Sequence, residues 1–369
     1  MKVIVIRSNL KEGITIAERA IGENLNLPIL KNILFEAEGS KIKITATNLE
    51  IAITTVISGK VIETGKFTVP AGIFSNLINN IQSDRLNVED KKGRMEIKTD
   101  NYEASVQGMT ANDFPITPKI KETKEFIEIK SALLKEALNQ ILVAAQFSDV
   151  RQELNNIFFD FSTNAIKLVA TDSFRLAEKT IASQEFSTNH TEKFSVLIPL
   201  KTAQELARIL KENEIVKIYH DENQILFKTE QTELLSRLSE GSFPDYAAVI
   251  PKEFAAEIVF SREEFLSALR LAGIFGSRTS EVKLKPHESK KVVEVTSADQ
   301  ALGENNYMLP AKIQGKFGEI VFNWRYIADV LKTLKTEDVW FGVNSENEPA
   351  EIKSPGDASY LYILKPIAE

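Results

Sequence analysis

VIVIRSNLKEGITIAERAIG (Val3 to Gly22), FIEIKSALLKEALNQILVAA (Phe126 to Ala145) and EIVFSREEFLSALRLAGIFG (Glu257 to Gly276) are three versions of one pattern. Each opens as a short alternating strand, passes a serine (Ser8, Ser131, Ser261) and continues with apolar residues spaced three and four apart. Alternation sends side chains to two faces of a strand, whereas three-and-four spacing gathers them on one face of a helix. Each segment therefore reads as strand, serine N-cap, amphipathic helix. The repeat period is about 125 residues, too long for a solenoid and about the size of a domain.

Two more triples lie outward from these. ILKNILFEAEGSKIKITATNLEIAITT from Ile29, VRQELNNIFFDFSTNAIKLVATDSFRLAEKT from Val150 and VKLKPHESKKVVEVTSADQALGENNYML from Val282 each read strand, polar turn, strand, turn, strand. Thr47-Asn48, Thr171-Asp172 and Ala298-Asp299 occupy the same turn, which Asn and Asp favour by bonding to nearby backbone. A second helix follows in each copy, over 69–81, 198–210 and 322–334, and strands follow each helix. Pro115 and Pro118, then Pro244 and Pro251, mark short extended linkers. The fold class is α+β: three repeated domains of antiparallel sheet with two helices each, spanning 1–123, 124–251 and 252–369.

Bulk composition narrows the chemistry. The chain has no Cys, which removes disulfides, thiolate metal sites and Cys nucleophiles and suits a reducing cytoplasm. No apolar run reaches the roughly 18–20 residues of a membrane span, and MKVIVIRSNLKEG reads as a first strand, not a signal peptide. The net charge of −7 opposes nucleic-acid binding for the chain as a whole, yet leaves one face free to be basic. Neither a phosphate-binding Gly-rich loop nor H-E-x-x-H nor G-x-S-x-G is present. His190, His220 and His287 lie far apart in polar, turn-like stretches and read as surface residues. Asp172 in VATDSFRLA and Asp245 in GSFPDY are the available carboxylates for an acid/base pair, though both sit in turns where a structural Asp is common. Binding is favoured over catalysis, with no catalytic residue, metal or cofactor expected.

Five further segments occur in order: LPIL (Leu27 to Leu30), DVRQELNN (Asp149 to Asn156), VATDSFRLA (Val169 to Ala177), GSFPDYAAVIP (Gly241 to Pro251) and YILKPI (Tyr362 to Ile367). With the triplication, they resemble the bacterial DNA polymerase III β subunit family, the β sliding clamps, over the whole chain. The resemblance implies a clamp-fold subunit in a head-to-tail dimeric ring around duplex DNA. It also implies a hydrophobic pocket that takes short peptides from the polymerase, clamp loader and repair proteins.

On that resemblance the helices would face DNA with Lys11, Arg19, Lys135, Lys201, Arg208, Arg270, Arg325 and Lys332, opposed by acids such as Glu12, Glu136, Glu205 and Asp329. The helix over 69–81 brings no cation. Asn24, Ser148, Gln152 and Glu153 match family positions that touch DNA, and are less basic and less aromatic than usual there. The pocket would be built from Arg151, Leu154, Thr171, Ser173, Phe174, Arg175 and Leu176, from Pro244 and Val249, and from Ile363, Leu364, Pro366 and Ile367. Ser173-Phe174 replaces the family's more usual Gly-His, and Ala368-Glu369 ends the sequence on an acid. Ile274 and Phe275 of one subunit would meet Ala104 and Val106 of the other. The competing readings are a triplicated scaffold that does not bind DNA and an enzyme acting on nucleic acid.

Overall fold

The computed structural model describes residues 1–117, 120, 125–276, 279–287 and 291–367; Pro118, the 123/124 boundary and Ala368-Glu369 fall outside them. The first repeat runs β1 (Lys2–Ile6), α1 (Arg7–Ala17), β2 (Asn32–Glu38), β3 (Lys41–Thr47), β4 (Ile51–Glu63), β5 (Gly65–Pro70), α2 (Ala71–Asn80), β6 (Arg85–Lys91), β7 (Arg94–Lys98) and β8 (Glu103–Gln107). The second runs β9 (Ile127–Lys130), α3 (Ser131–Leu142), β10 (Asn156–Ser162), β11 (Ala165–Thr171), β12 (Arg175–Ala182), β13 (Phe186–Thr188), β14 (Phe194–Pro199), α4 (Leu200–Ile209), β15 (Ile215–His220), β16 (Gln224–Lys228) and β17 (Thr232–Arg237). The third runs β18 (Ala256–Ser261), α5 (Arg262–Ala272), β19 (Glu281–Pro286), β20 (Val292–Asp299), β21 (Gly303–Gly315), β22 (Ile320–Asn323), α6 (Trp324–Thr333), β23 (Asp338–Val343), β24 (Ala350–Lys353) and β25 (Tyr360–Leu364).

The copies share one plan with one variation. β4 and β21 are unbroken thirteen-residue strands, whereas a 3-10 turn at Ser183–Glu185 splits the corresponding stretch into β12 and β13. The first helices begin alike, but the serines do not cap them as the sequence suggests. Ser8 lies inside α1, Ser131 is the first residue of α3, and Ser261 stands at the N-cap of α5 without a side-chain cap bond. A carbonyl ahead of a later strand does that work in every copy: Arg7 N–H donates to Asp84 O (2.7 Å), Ser131 N–H to Glu214 O (3.0 Å) and Arg262 N–H to Glu337 O (2.8 Å). A main-chain acceptor already in place leaves the serine hydroxyl no unpaired donor to serve. Ser131 Oγ instead donates to Lys211 O. On α6 a side chain does cap the helix, with Asn323 accepting from Arg325 N–H.

Three repeats give two sheets and two compact units, because strand pairing ignores the repeat boundaries. The first sheet joins β13, β9 and β15 to β17 with every strand of the first repeat. β17 enters it by pairing with β4 from Thr232↔Thr55 to Ser236↔Ile51. Here α1 buries Leu10, Ile14 and Ala17 against β3 and β4. Gly13 permits the approach, since a Cβ there would meet Ile44 Cδ1 and Ile57 Cγ2 at 2.8 Å.

The second sheet joins β14 and β10 to β12 with every strand of the third repeat, and β25 enters by pairing with β12 from Tyr360↔Lys179 to Leu364↔Arg175. In this unit α5 lies on β20 and β21 and sinks Phe265 against Phe260, with ring centroids 4.6 Å apart. A buried side chain of this size contributes about 1.5–3 kcal/mol. Two edges stay open. β8 ends the first sheet, and β21 pairs with β20 over Gly303 to Pro310 while its other side meets β18 only from Ala311 to Gly315.

Candidate functional site

The turn between β11 and β12 shapes the site. Asp172 accepts from Phe174 N–H (3.0 Å) and Arg175 N–H (2.9 Å), and Thr171 Oγ1 donates to Arg175 O (2.7 Å). This lock holds Ser173 at φ +79°, a left-handed backbone uncommon outside Gly, and turns Phe174 outward, 61% exposed. A second loop is set by Asn155, whose side chain bonds both backbone groups of Ser148. The 3-10 turn Gln152–Leu154 follows it, and Arg151 Nη1 reaches across to Ser173 Oγ at 3.0 Å.

Between these loops and β25 lies a cavity of about 150 Å³. Ten of the thirteen pocket residues expected from sequence line it: Arg151, Leu154, Thr171, Ser173, Phe174, Arg175 and Leu176, then Pro244, Val249 and Ile363. Leu364, Pro366 and Ile367 do not. Alternation along β25 points Ile363 to the cavity and buries Leu364 completely, while Ile367 N–H bonds Val321 O and carries the chain toward β22. Sequence reasoning missed Asp245, Tyr246, Pro349 and Lys365. Three of these stood inside the quoted GSFPDYAAVIP and YILKPI segments, so position relative to a motif was the available signal. The floor is apolar: Val169, Leu176 and Ile363 pack with Phe158, Phe243 and Tyr246, and Phe158 stacks on Phe243 at 5.3 Å.

Charge is concentrated beneath the rim. Arg175 pairs with Asp172 (2.9 Å) and Asp329 of α6 (3.2 Å), and its guanidinium lies 4.1 Å from the Tyr326 ring centre. The Tyr246 hydroxyl donates to Glu178 at 2.6 Å; burial first, then the Glu178 carboxylate, raises its pKa above the ordinary phenol value, so it remains a donor. Asp172 and Asp245, the candidate acid/base pair, are both engaged in turns: Asp172 as described, Asp245 by accepting from Ala247 N–H. An apolar slot with a few fixed donors can hold a short peptide by its side chains.

Among the helix-borne cations, Lys11, Lys201, Arg208, Arg270, Arg325 and Lys332 are exposed, while Arg19 and Lys135 are half-buried. Lys201 is paired with buried Glu205 (2.7 Å) and Lys332 with Asp329 (3.1 Å). Lys11, Arg270 and Arg325 make no ion pair among the described residues. α2 carries no cation, as its sequence requires. Asn24, Gln152 and Glu153 are exposed and Ser148 is half-buried. Ala104 and Val106 sit on the edge strand β8, with Val106 buried on its inner face. Ile274 is 63% exposed and Phe275 lies against Gly303, at the start of the other open edge.

The histidines correct the sequence reading. His190 is buried and His220 half-buried, and their rings stack at 5.4 Å. Thr188 of β13 and Ile218 of β15 pair with Ile127 from opposite sides, which brings the two following chain ends together. Burial lowers both pKa values below the ordinary imidazole range; His190 further lowers His220, while Glu125, 3.6 Å from His190 Nδ1, pulls upward.

Comparison with known proteins accounts for the length of the chain. Family models described as the N-terminal, central and C-terminal domains of the DNA polymerase III beta subunit match residues 1–118, 128–245 and 247–368. The beta sliding clamp of Synechococcus elongatus is 26% identical over 376 residues, covering 100% of this chain and 99% of its own. The DNA polymerase sliding clamp of Bacillus subtilis superposes with a TM-score of 0.91 at 26% identity, covering 100% of this chain and 99% of that one. The DNA polymerase III beta subunit of Thermotoga maritima gives the same TM-score and coverage at 28% identity. With all three domain models matched in order on a three-repeat clamp fold, the chain belongs to the DNA polymerase III beta subunit family, the beta sliding clamps.

Proposed function

We propose that this chain is a non-catalytic ring subunit, acting in the cytoplasm, which pairs head to tail with a second copy around duplex DNA and tethers DNA polymerase and other replication and repair proteins through the β12–β25 groove. Its ring-building domains would be 1–123, 124–251 and 252–369.

The observation that carries this reading is the pair of open edges. In the two closed junctions, the last strand of one repeat pairs with the strand after the Asn/Asp turn of another: β17 with β4 and β25 with β12. The last strand left over is β8, and the turn-following strand left over is the first half of β21. Matching registers pairs Ser105 with Glu304, Ala104 with Asn305 and Gln107 with Leu302 of the partner subunit. Long open edges favour association unless blunted, and this one is flanked by exposed Ile274, Leu302 and Met308. Two different surfaces that close after two copies form a ring.

Lys11, Arg270 and Arg325 supply exchangeable phosphate contacts, which suit sequence-independent sliding. The test is topological. Loaded by a clamp loader onto nicked circular DNA, the protein should stay bound and then be released when the circle is linearised. Equal retention on circular and linear DNA would refute encirclement.

A further inference from the structure

The junction between β17 and β4 duplicates the groove beside β12 and β25. Asn48 accepts from Glu50 N–H (3.0 Å) and Ile51 N–H (2.8 Å), as Asp172 does from Phe174 and Arg175. Thr47 Oγ1 donates to Ile51 O at 2.9 Å, the counterpart of Thr171 to Arg175. Leu49 has φ +78° where Ser173 has +79°. Arg237 N–H bonds Glu50 O just as Lys365 N–H bonds Phe174 O. Against this turn lies a cavity of about 170 Å³, lined in part by Leu49, Ala52, Ile116, Leu235 and Arg237, positions that match Ser173, Leu176, Asp245, Ile363 and Lys365. Both grooves thus have an aliphatic floor and a cation at the same place on the rim.

They differ in what fills the space behind. In the first groove Phe158, Phe243 and Tyr246 pack together. Their counterparts are Leu34, Phe114 and Thr117, and all three line a cavity of about 920 Å³ that shares Ala52, Pro115, Ile116 and Leu235 with the smaller one. Two aromatic rings have been replaced by smaller side chains, so room is left for a ring supplied from outside. Ile116, 94% exposed at the mouth, offers a matching apolar contact.

We infer that the β17–β4 groove is a second peptide site, taking an extended segment with a bulky aromatic anchor and an acidic neighbour for Arg237. This rests on the first groove being a peptide site, and the experiment separates the two. The probe is the peptide Gln-Leu-Asp-Leu-Bpa, where Bpa is the photoreactive aromatic residue benzoylphenylalanine, irradiated with the full chain and mapped by mass spectrometry.

Adducts are expected in 47–52, 115–117 or 235–237 as well as in 171–176, 244–249 or 363–365. Leu49→Asp with Ile116→Asp, both at exposed positions, should cut the first set at least tenfold and spare the second set. Leu176→Asp should do the reverse. Adducts at the β12–β25 groove alone would overturn the second site and leave the first standing. Adducts at the β17–β4 groove that ignore the double variant would also overturn it. No adducts at either groove would overturn both.

Discussion

Ser105→Pro isolates the open edge of β8. Thr99 N–H bonds Tyr102 O at 2.9 Å and Gly108 N–H bonds Gly93 O at 3.3 Å. With the β7–β8 register this phase turns the N–H groups of Ala104 and Val106 toward β7 and those of Glu103, Ser105 and Gln107 outward. Proline at 105 therefore removes a donor that no strand of the same chain uses, at an exposed edge position where proline is tolerated. In the assembled ring it leaves the Glu304 carbonyl of the partner subunit without its donor. One such buried unpaired group costs about 1–3 kcal/mol, and a two-subunit ring has two junctions, so the dimer is weakened by about 2–6 kcal/mol. The dissociation constant should rise roughly 30-fold to 10⁴-fold. Sedimentation velocity across a concentration series reads this directly, with thermal unfolding as the control for the subunit fold. Ala104→Pro is the contrast, because it takes a donor from β7 and should fray β8 within the chain. A Ser105→Pro protein that remains a dimer at wild-type concentrations, with an unchanged melting temperature, refutes the ladder.

Phe174→Ala should change stability by less than about 0.5 kcal/mol, since the ring is mostly exposed, and weaken binding of a labelled Gln-Leu peptide about fivefold, equivalent to about 1 kcal/mol of apolar burial. Unchanged fluorescence anisotropy would place Phe174 outside the peptide's footprint. For DNA, replacing Lys11, Arg270 and Arg325 by Ala should flatten the dependence of log affinity on log salt by about 0.9 for each phosphate no longer neutralised; a slope equal to the wild type removes them from the DNA face. The stacked histidines set a pH dependence. Both folded pKa values are lowered, so the unfolded chain binds more protons, and stability falls as pH drops below the unfolded value of about 6.5. The slope is at most about 1.4 kcal/mol per pH unit for each ring, read from urea midpoints between pH 7.5 and 5.5. His190→Gln with His220→Gln should flatten it, and an equal slope in that variant would refute the assignment.

Local pattern told a great deal here. Alternation in Lys41 to Thr45 and three-and-four spacing in Phe265 to Leu269 each concern neighbours within one element, and those elements formed where expected. The Asn/Asp turns were equally legible, because their bonds span two or three residues. The groove was mostly legible through motif positions, but its edge was not: Ile363 and Leu364 are equally apolar, and only the twist and register of β25 against β12 decide which one faces the cavity.

What the sequence determined alone is the threefold strand-and-helix plan, because periodicity, turn chemistry and repetition are written within each copy. What the tertiary structure decided are the features that join distant residues. Backbone carbonyls of Asp84, Glu214 and Glu337 displaced the serine caps, Ile127 brought His190 to His220, and β17 and β25 crossed repeat boundaries to make two sheets from three repeats. Main-chain hydrogen bonds are alike at every residue, so sequence gives little sign of which carbonyl or strand edge will answer which; close packing of the folded chain makes that choice.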